Sequence, residues 1–311
     1  MIMKTLVLAL GGNMLLRKGE SGTFEAQLEN AKRVAKQIAV LILKGYRVII
    51  THGNGPQVGN ILIQQEKGKD DVPAMPLDVC VAESQGEIGY MLQRALSAEL
   101  MRRRVNRPVA TVVTQVLVDE RDKAFKRPTK PIGPFYLKEE AERLSKKSDY
   151  LFKEDAGRGY RKVVPSPKPK EILEKDAIKK MVNGGVIVIA SGGGGIPVVK
   201  KNGKFRGVEA VIDKDLAAAV LAEEVGADML LILTDVKAAY LNYGKPGQTE
   251  VRKMKVKYAE KYLKEGHFSP GSMGPKVQAG IEFAKNGGKT IITSPEFLID
   301  AIRGNAGTLI E

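Results

Sequence analysis

Three lysines stand beside glycine, proline or a helix start: Lys130 in PTKPIGPF, Lys214 in VIDKDLA and Lys276 in PGSMGPK. Singly, each reads as a solvated surface lysine. As a set they suit phosphoryl transfer, in which negative charge spreads over equatorial oxygens and catalysis is mostly positioning and cationic stabilisation. No general base accompanies them. The two histidines, His52 and His267, stand in no nucleophile–base pattern and read as turn or surface residues. A missing base is compatible with an acceptor that is already an anion, because such a group attacks phosphorus without first losing a proton. Asp213 and Asp215 flank Lys214. One of them can cap a helix beginning near Leu216, and Asp215 can hold ammonium groups near a transferring phosphoryl; the two roles are able to coexist.

Glycine-rich turns offer the other half of an anion site, since backbone N–H groups without a neighbouring Cβ can approach phosphate oxygens closely. There are four: Gly11-Gly12-Asn13, Gly53-Asn54-Gly55, Gly192 to Gly195, and Gly271-Ser272-Met273-Gly274. Any one is as readily a tight turn as a cradle. The Walker sequence G-x-x-x-x-G-K-[ST] is absent. Gly53, Gly55 and Gly59 only loosely follow a dinucleotide fingerprint, whose third glycine falls at Val58, although Asp70 and Asp71 lie near the place of a ribose-binding acid.

Side chains from such distant segments meet only if an architecture gathers them. Short apolar runs alternate with amphipathic stretches, the pattern of a mainly parallel sheet between helices, and strand ends in such α/β folds line one crevice. Strands are predicted at Thr5 to Leu10, Arg47 to Thr51, Val109 to Val118, Val186 to Ala190, Met229 to Leu233 and Thr290 to Thr293. Helices are predicted with the face Leu28, Ala31, Ala35, Ile38 and Ile42, stopped by Gly45, and over Glu171 to Met181, Leu216 to Glu224 and Pro275 to Ala284. Asn202-Gly203 reads as a hairpin turn.

The chain has 311 residues and a net charge of +14. Residues 121–170 carry fifteen basic and seven acidic side chains, so eight of those fourteen charges fall in one stretch, which reads as an inserted basic subdomain. Its aromatics are irregularly spaced, against a nucleic-acid partner. No apolar run approaches the roughly 20 residues of a membrane span. The start, MIMKTLVLAL, reads as a strand rather than a signal peptide, and the lone Cys80 forms no internal disulfide; both fit a cytoplasmic protein.

LALGGN, THGNGPQVG, SQGEIGY, PTKPIGPFY, VVPSP, ASGGGGIPV, AVIDKDLAA, LTDV and GSMGPKV, in that order along nearly the whole chain, resemble the carbamate kinases of the amino-acid kinase family. PTKPIGPFY and VIDKDLA are the most specific of these. The resemblance implies an open αβα sandwich with a small inserted lid, an N-terminal lobe over residues 1–184 for carbamate, with the lid at 119–170, and a C-terminal lobe over 185–311 for ATP or ADP with Mg²⁺. It also implies a homodimer. By the family pattern Gly11, Gly12, Asn13, Gly53, Asn54 and Gly55 surround carbamate and the transferred phosphoryl, and Lys130 reaches in from the lid. Lys214 and Lys276 stabilise the transition state, Asp215 orients them, and Thr234, Asp235, Tyr240, Tyr243, Met273 and Gly274 lie near the nucleotide. Met14 and Lys237 depart from the pattern, where a smaller residue and an acid are common. The nearest rival readings are another amino-acid kinase acting on a different carboxylate, and a non-catalytic nucleotide-binding relative.

Overall fold

The computed structural model describes residues 3–17, 19–147, 150–155, 157 and 159–311, without the side chains of Asn13 and Lys147. Along it run β1 (Thr5–Leu10), α1 (Phe24–Leu43), β2 (Arg47–His52), α2 (Gly55–Gly68), α3 (Leu77–Arg102), β3 (Val109–Thr111) and β4 (Gln115–Val118). Next come β5 (Lys130–Tyr136), α4 (Lys138–Lys147), β6 (Leu151–Glu154), β7 (Tyr160–Val164), β8 (Pro169–Ile172) and α5 (Lys175–Asn183). They are followed by β9 (Ile187–Ile189), β10 (Ile196–Lys201), β11 (Lys204–Gly207), α6 (Lys214–Val225), β12 (Met229–Leu233), β13 (Ala239–Leu241) and β14 (Thr249–Val251). The last stretch holds β15 (Lys253–Met254), α7 (Val256–Lys264), α8 (Met273–Lys285), β16 (Lys289–Thr293), α9 (Leu298–Ile302) and β17 (Thr308–Ile310).

Strand periodicity sorts the apolar residues of β1 onto two faces. Leu6, Leu8 and Leu10 join a core with α1 and α3, while Val7 and Ala9 join one with α5, α6 and α8. The sheet between these layers has eight strands in the order β15-β17-β16-β12-β1-β2-β9-β3, parallel except where β17 runs against β16. This is the open α/β sandwich expected, with a mainly parallel sheet between helical layers. From β1 the chain passes to α1 on one face, and from β12 to α7 and α8 on the other. A crevice therefore opens outside the carboxyl ends of these adjacent strands.

Two expectations need correction. The run Val109 to Val118 is two strands in different sheets, because Gln85 intervenes from α3. Its side chain accepts from the Thr114 N–H at 2.8 Å and donates at 3.2 Å to the Thr114 carbonyl, which also accepts from the Ile196 N–H at 2.9 Å, so the Thr114 N–H is given to a side chain where the chain passes between sheets. The helix expected from Glu171 starts only at Lys175, since Glu171 and Ile172 pair with Leu117 and Val116 as part of β8. The hairpin turn is as read: Asn202 and Gly203 both take positive φ, 50° and 76°, as a two-residue primed turn requires. Within the basic stretch, β5, β7 and β6 form a separate antiparallel sheet that lies with α4 beside α2.

Candidate active site

The glycine turns after β1 and β2 pack tightly at Gly11 and Gly53, and the turn after β9 packs at distances that exclude side chains. A Cβ on Gly11 would stand 3.2 Å from the Leu233 carbonyl at the end of β12, and one on Gly53 would stand 3.3 Å from the Gly12 nitrogen and 3.6 Å from the Lys214 stem. A Cβ on Gly192 would run into the His52 ring at 2.4 Å, and one on Gly193 into the Asn54 amide at 2.2 Å. Glycine is thus what allows three strand ends to close on one place. Asn54, almost fully buried, donates to Ser84 Oγ at 2.8 Å, and Gly55 opens α2. The backbone of Asn13 lies in the short helical turn Gly12–Met14; its side chain is outside the described residues. The fourth turn leads into α8, where Gly274 donates to the Ser269 carbonyl at 2.8 Å and Lys276 follows in the first turn.

The three lysines converge on two aspartates. Asp213 caps α6 with one oxygen, accepting from the Asp215 N–H at 2.9 Å, and its other oxygen accepts from Lys130 Nζ at 2.6 Å. Asp215 accepts from Lys214 through one oxygen and from Lys276 through the other, at 3.1 Å for the latter. The helix cap thus falls to Asp213, and the two ammonium groups are held by Asp215. The Asp215, Lys214 and Lys276 side chains are only 5%, 10% and 11% exposed, which removes most of the water that would screen them.

Burial works against every charge here, and the partners decide the outcome. It pushes the Asp215 carboxyl up, yet the two ammonium groups hold it well below the usual range. Asp213 is likewise pushed up by burial and held below its ordinary value by Lys130. At Lys214 burial wins and lowers the ammonium, while at Lys276 the attraction of Asp215 outweighs burial and raises it. Three cations against two carboxylates leave one net positive charge beside backbone N–H groups, an arrangement built to receive an anion.

His52 is neither a turn nor a surface residue. It ends β2 at 1% exposure, and burial holds its imidazole down to about 4, with Lys214 pushing the same way. The ring is neutral at physiological pH, with Nδ1 donating to the Gly53 carbonyl at 3.1 Å. His267 does sit in a turn, joining Asn242 of the β13–β14 hairpin at 3.2 Å.

That contact draws the hairpin toward the turn before α8. The Tyr240 and Tyr243 rings of that hairpin have centroids 5.9 Å apart, and Met273 and Gly274 open α8. Thr234 and Asp235 sit one step away at the end of β12, lining a cavity of about 470 Å³ with Met14, Arg17, Arg33 and Glu296. Lys237 pairs with Glu250 at 3.4 Å.

Sequence reasoning missed Gln85 and Arg161. Gln85 holds the Gly192 carbonyl at 3.0 Å as well as Thr114. Its signal was present: Ser84 and Gln85 are polar residues on the buried face of a helix. Arg161 of β7 donates to the Gly133 carbonyl at 2.9 Å and comes within 4.0 Å of where a Gly55 Cβ would be.

Among known proteins, the model of the amino acid kinase family matches residues 4–294. A carbamate kinase of Pyrococcus horikoshii is 54% identical over 308 residues, spanning 98% of each chain. Carbamate kinase from Giardia lamblia bound to citric acid matches with a TM-score of 0.94 at 44% identity, over 99% of this chain and 98% of that one. Carbamate kinase from the same organism bound to AMP-PNP matches with a TM-score of 0.91 at 45% identity and the same coverage.

Proposed function

The chain belongs to the amino acid kinase family and its reaction is that of a carbamate kinase; from there we propose how its own residues divide the work. The observation that carries the proposal is that Lys214 and Lys276, from two separate helices, share the buried Asp215 beside the glycine turns.

ATP binds with its base near Tyr240, Tyr243, Met273 and Gly274, and with Thr234 and Asp235 beside it. Its γ-phosphoryl lies over Gly11, Gly12, Asn13, Gly53, Asn54 and Gly55. A carbamate oxygen attacks phosphorus while the bond to the ADP oxygen breaks; no proton needs to be removed, which agrees with a neutral, buried His52. Lys214 and Lys276 follow the charge as it develops, and Asp215 fixes both ammonium groups so that they need not reorganise. Lys130 adds a third cation from residues 119–170, which act as a lid that excludes water. In this scheme residues 1–184 serve carbamate and residues 185–311 the nucleotide.

Mg²⁺ is part of the same reading. The described residues hold no group of three His, Cys, Asp or Glu side chains placed to bind a metal ion, and Asp213 and Asp215 are already engaged with lysines. Such an ion fits this chain as a companion of the nucleotide, carried mainly by phosphate oxygens, and would supply charge neutralisation there. A cytoplasmic homodimer completes the proposal. No helix among the described residues is long and apolar enough to cross a membrane.

The test is formation of ATP from ADP and carbamoyl phosphate. Lys214→Ala and Lys276→Ala should each lower turnover by roughly 10²-fold or more. Parent-like turnover in both would overturn these roles.

A further inference from the structure

We propose that Gly59 is a positioning residue: it sets the height at which the lid seats on α2, and thereby the place of Lys130. The inference rests on the role just given to Lys130.

Helix α2 and strand β5 meet glycine on glycine. A Cβ on Gly59 would stand 1.9 Å from the Gly133 Cα and 2.2 Å from its nitrogen, and backbone atoms cannot swing aside as a side chain would. The seat has little give. Ile132, at 1% exposure, sits in an apolar cluster with Val58, Ile61, Leu77, Cys80 and Val81. The Gly133 carbonyl is held by Arg161, which is braced in turn by Asp155 at 3.2 Å. Three residues before Gly133 in the same strand, Lys130 reaches across to Asp213 at 2.6 Å. Seat and cation thus lie on one strand: Lys130 to Ile132 pair with β7 immediately before Gly133, where the register shifts, so what lifts Gly133 lifts the paired segment that carries Lys130.

Gly133 itself is a poor place to test this, because its φ of +73° strains any other residue. Gly59 has helical geometry, where alanine is a better helix former than glycine. Restoring ordinary contact, from 1.9 Å to 3.4 Å, requires β5 to rise by about 1.5 Å. A misplacement of that size costs a catalytic group on the order of 10²-fold.

The experiment measures ATP formation from ADP and carbamoyl phosphate in Gly59→Ala, Lys130→Ala and the double variant. Gly68→Ala on the same helix is the control, its new methyl meeting only Val72 at 3.9 Å. Expected are a kcat about 100-fold lower in Gly59→Ala, with the KM for ADP near the parent's and a melting temperature lowered by the overpacked seam, and no change in Gly68→Ala. Because both lesions act through one ammonium group, the double variant should be no slower than Lys130→Ala alone. Arg161→Gln frees the Gly133 carbonyl without adding volume and should show the same non-additivity, which keeps the inference testable if Gly59→Ala is too unstable to purify. Loss in Lys130→Ala with full activity in Gly59→Ala, or multiplying losses in the double variant, overturns the role of Gly59 alone. Full activity in Lys130→Ala overturns the role of Lys130 as well.

Discussion

Asp215→Asn keeps the volume at the centre of the site and removes only its charge. In the native protein that carboxylate faces two ammonium groups, one through each oxygen, with all three side chains about nine-tenths buried or more. After substitution the cluster holds three cations against Asp213 alone, and the amide can satisfy only one lysine with its oxygen while presenting N–H to the other. Breaking a buried ion pair by removing one partner typically costs about 3–5 kcal/mol, and at this exposure little should be discounted for solvent. Turnover should fall by about 10²- to 10³-fold, the range for losing a fixed electrostatic stabiliser. The pH dependence gives the diagnostic sign. Burial already lowers the Lys214 ammonium, and without Asp215 it falls further, so activity that needs this cation should be lost at a lower pH in the variant than in the parent as pH rises. The coupled ATP-formation assay across pH 6–9, alongside thermal unfolding, reads both effects. A variant with the parent's turnover and the parent's pH profile would show that the shared carboxylate organises nothing.

Gly193→Ala should lower stability sharply, because it combines a φ of +66° with a Cβ 2.2 Å from the Asn54 amide; an unshifted melting temperature would contradict the packing of the turns. The imidazole of His52 should show no titration in NMR between pH 5 and 8, as burial holds it down to about 4, and a midpoint near 6.5 would count against its burial. Cys80 should react slowly with thiol reagents in the native protein at pH 8, since burial pushes its thiol up to about 11, and labelling at the rate of a free thiol would exclude that environment.

Where local chemistry decides structure, the sequence was readable. Thr5–Leu10 and Met229–Leu233 were expected with the bounds found, because apolar runs of that length closed by polar or glycine residues leave little choice. The lysines beside turns were visible as candidates for the same reason. What a distant element decides was not legible. The break near Thr114 comes from Gln85 on another helix, and β8 exists because β4 lies beside it. The aspartate pair could be seen to have two tasks, but which residue took which depended on Lys130, 83 positions away from Asp213. His52 was misjudged because its burial comes from the Gly192 turn folding over it.

Asp213 is both a helix cap and a tether, and the two tasks use different oxygens. The first needs only an acceptor, which asparagine also supplies; the second needs a negative charge. A chain carrying asparagine at this position could start α6 normally and keep Lys214 and Asp215 in place, yet leave the Lys130 ammonium without its carboxylate. Holding a distant lysine and starting a helix are thus separable properties of a single side chain, open to independent adjustment by a one-atom change.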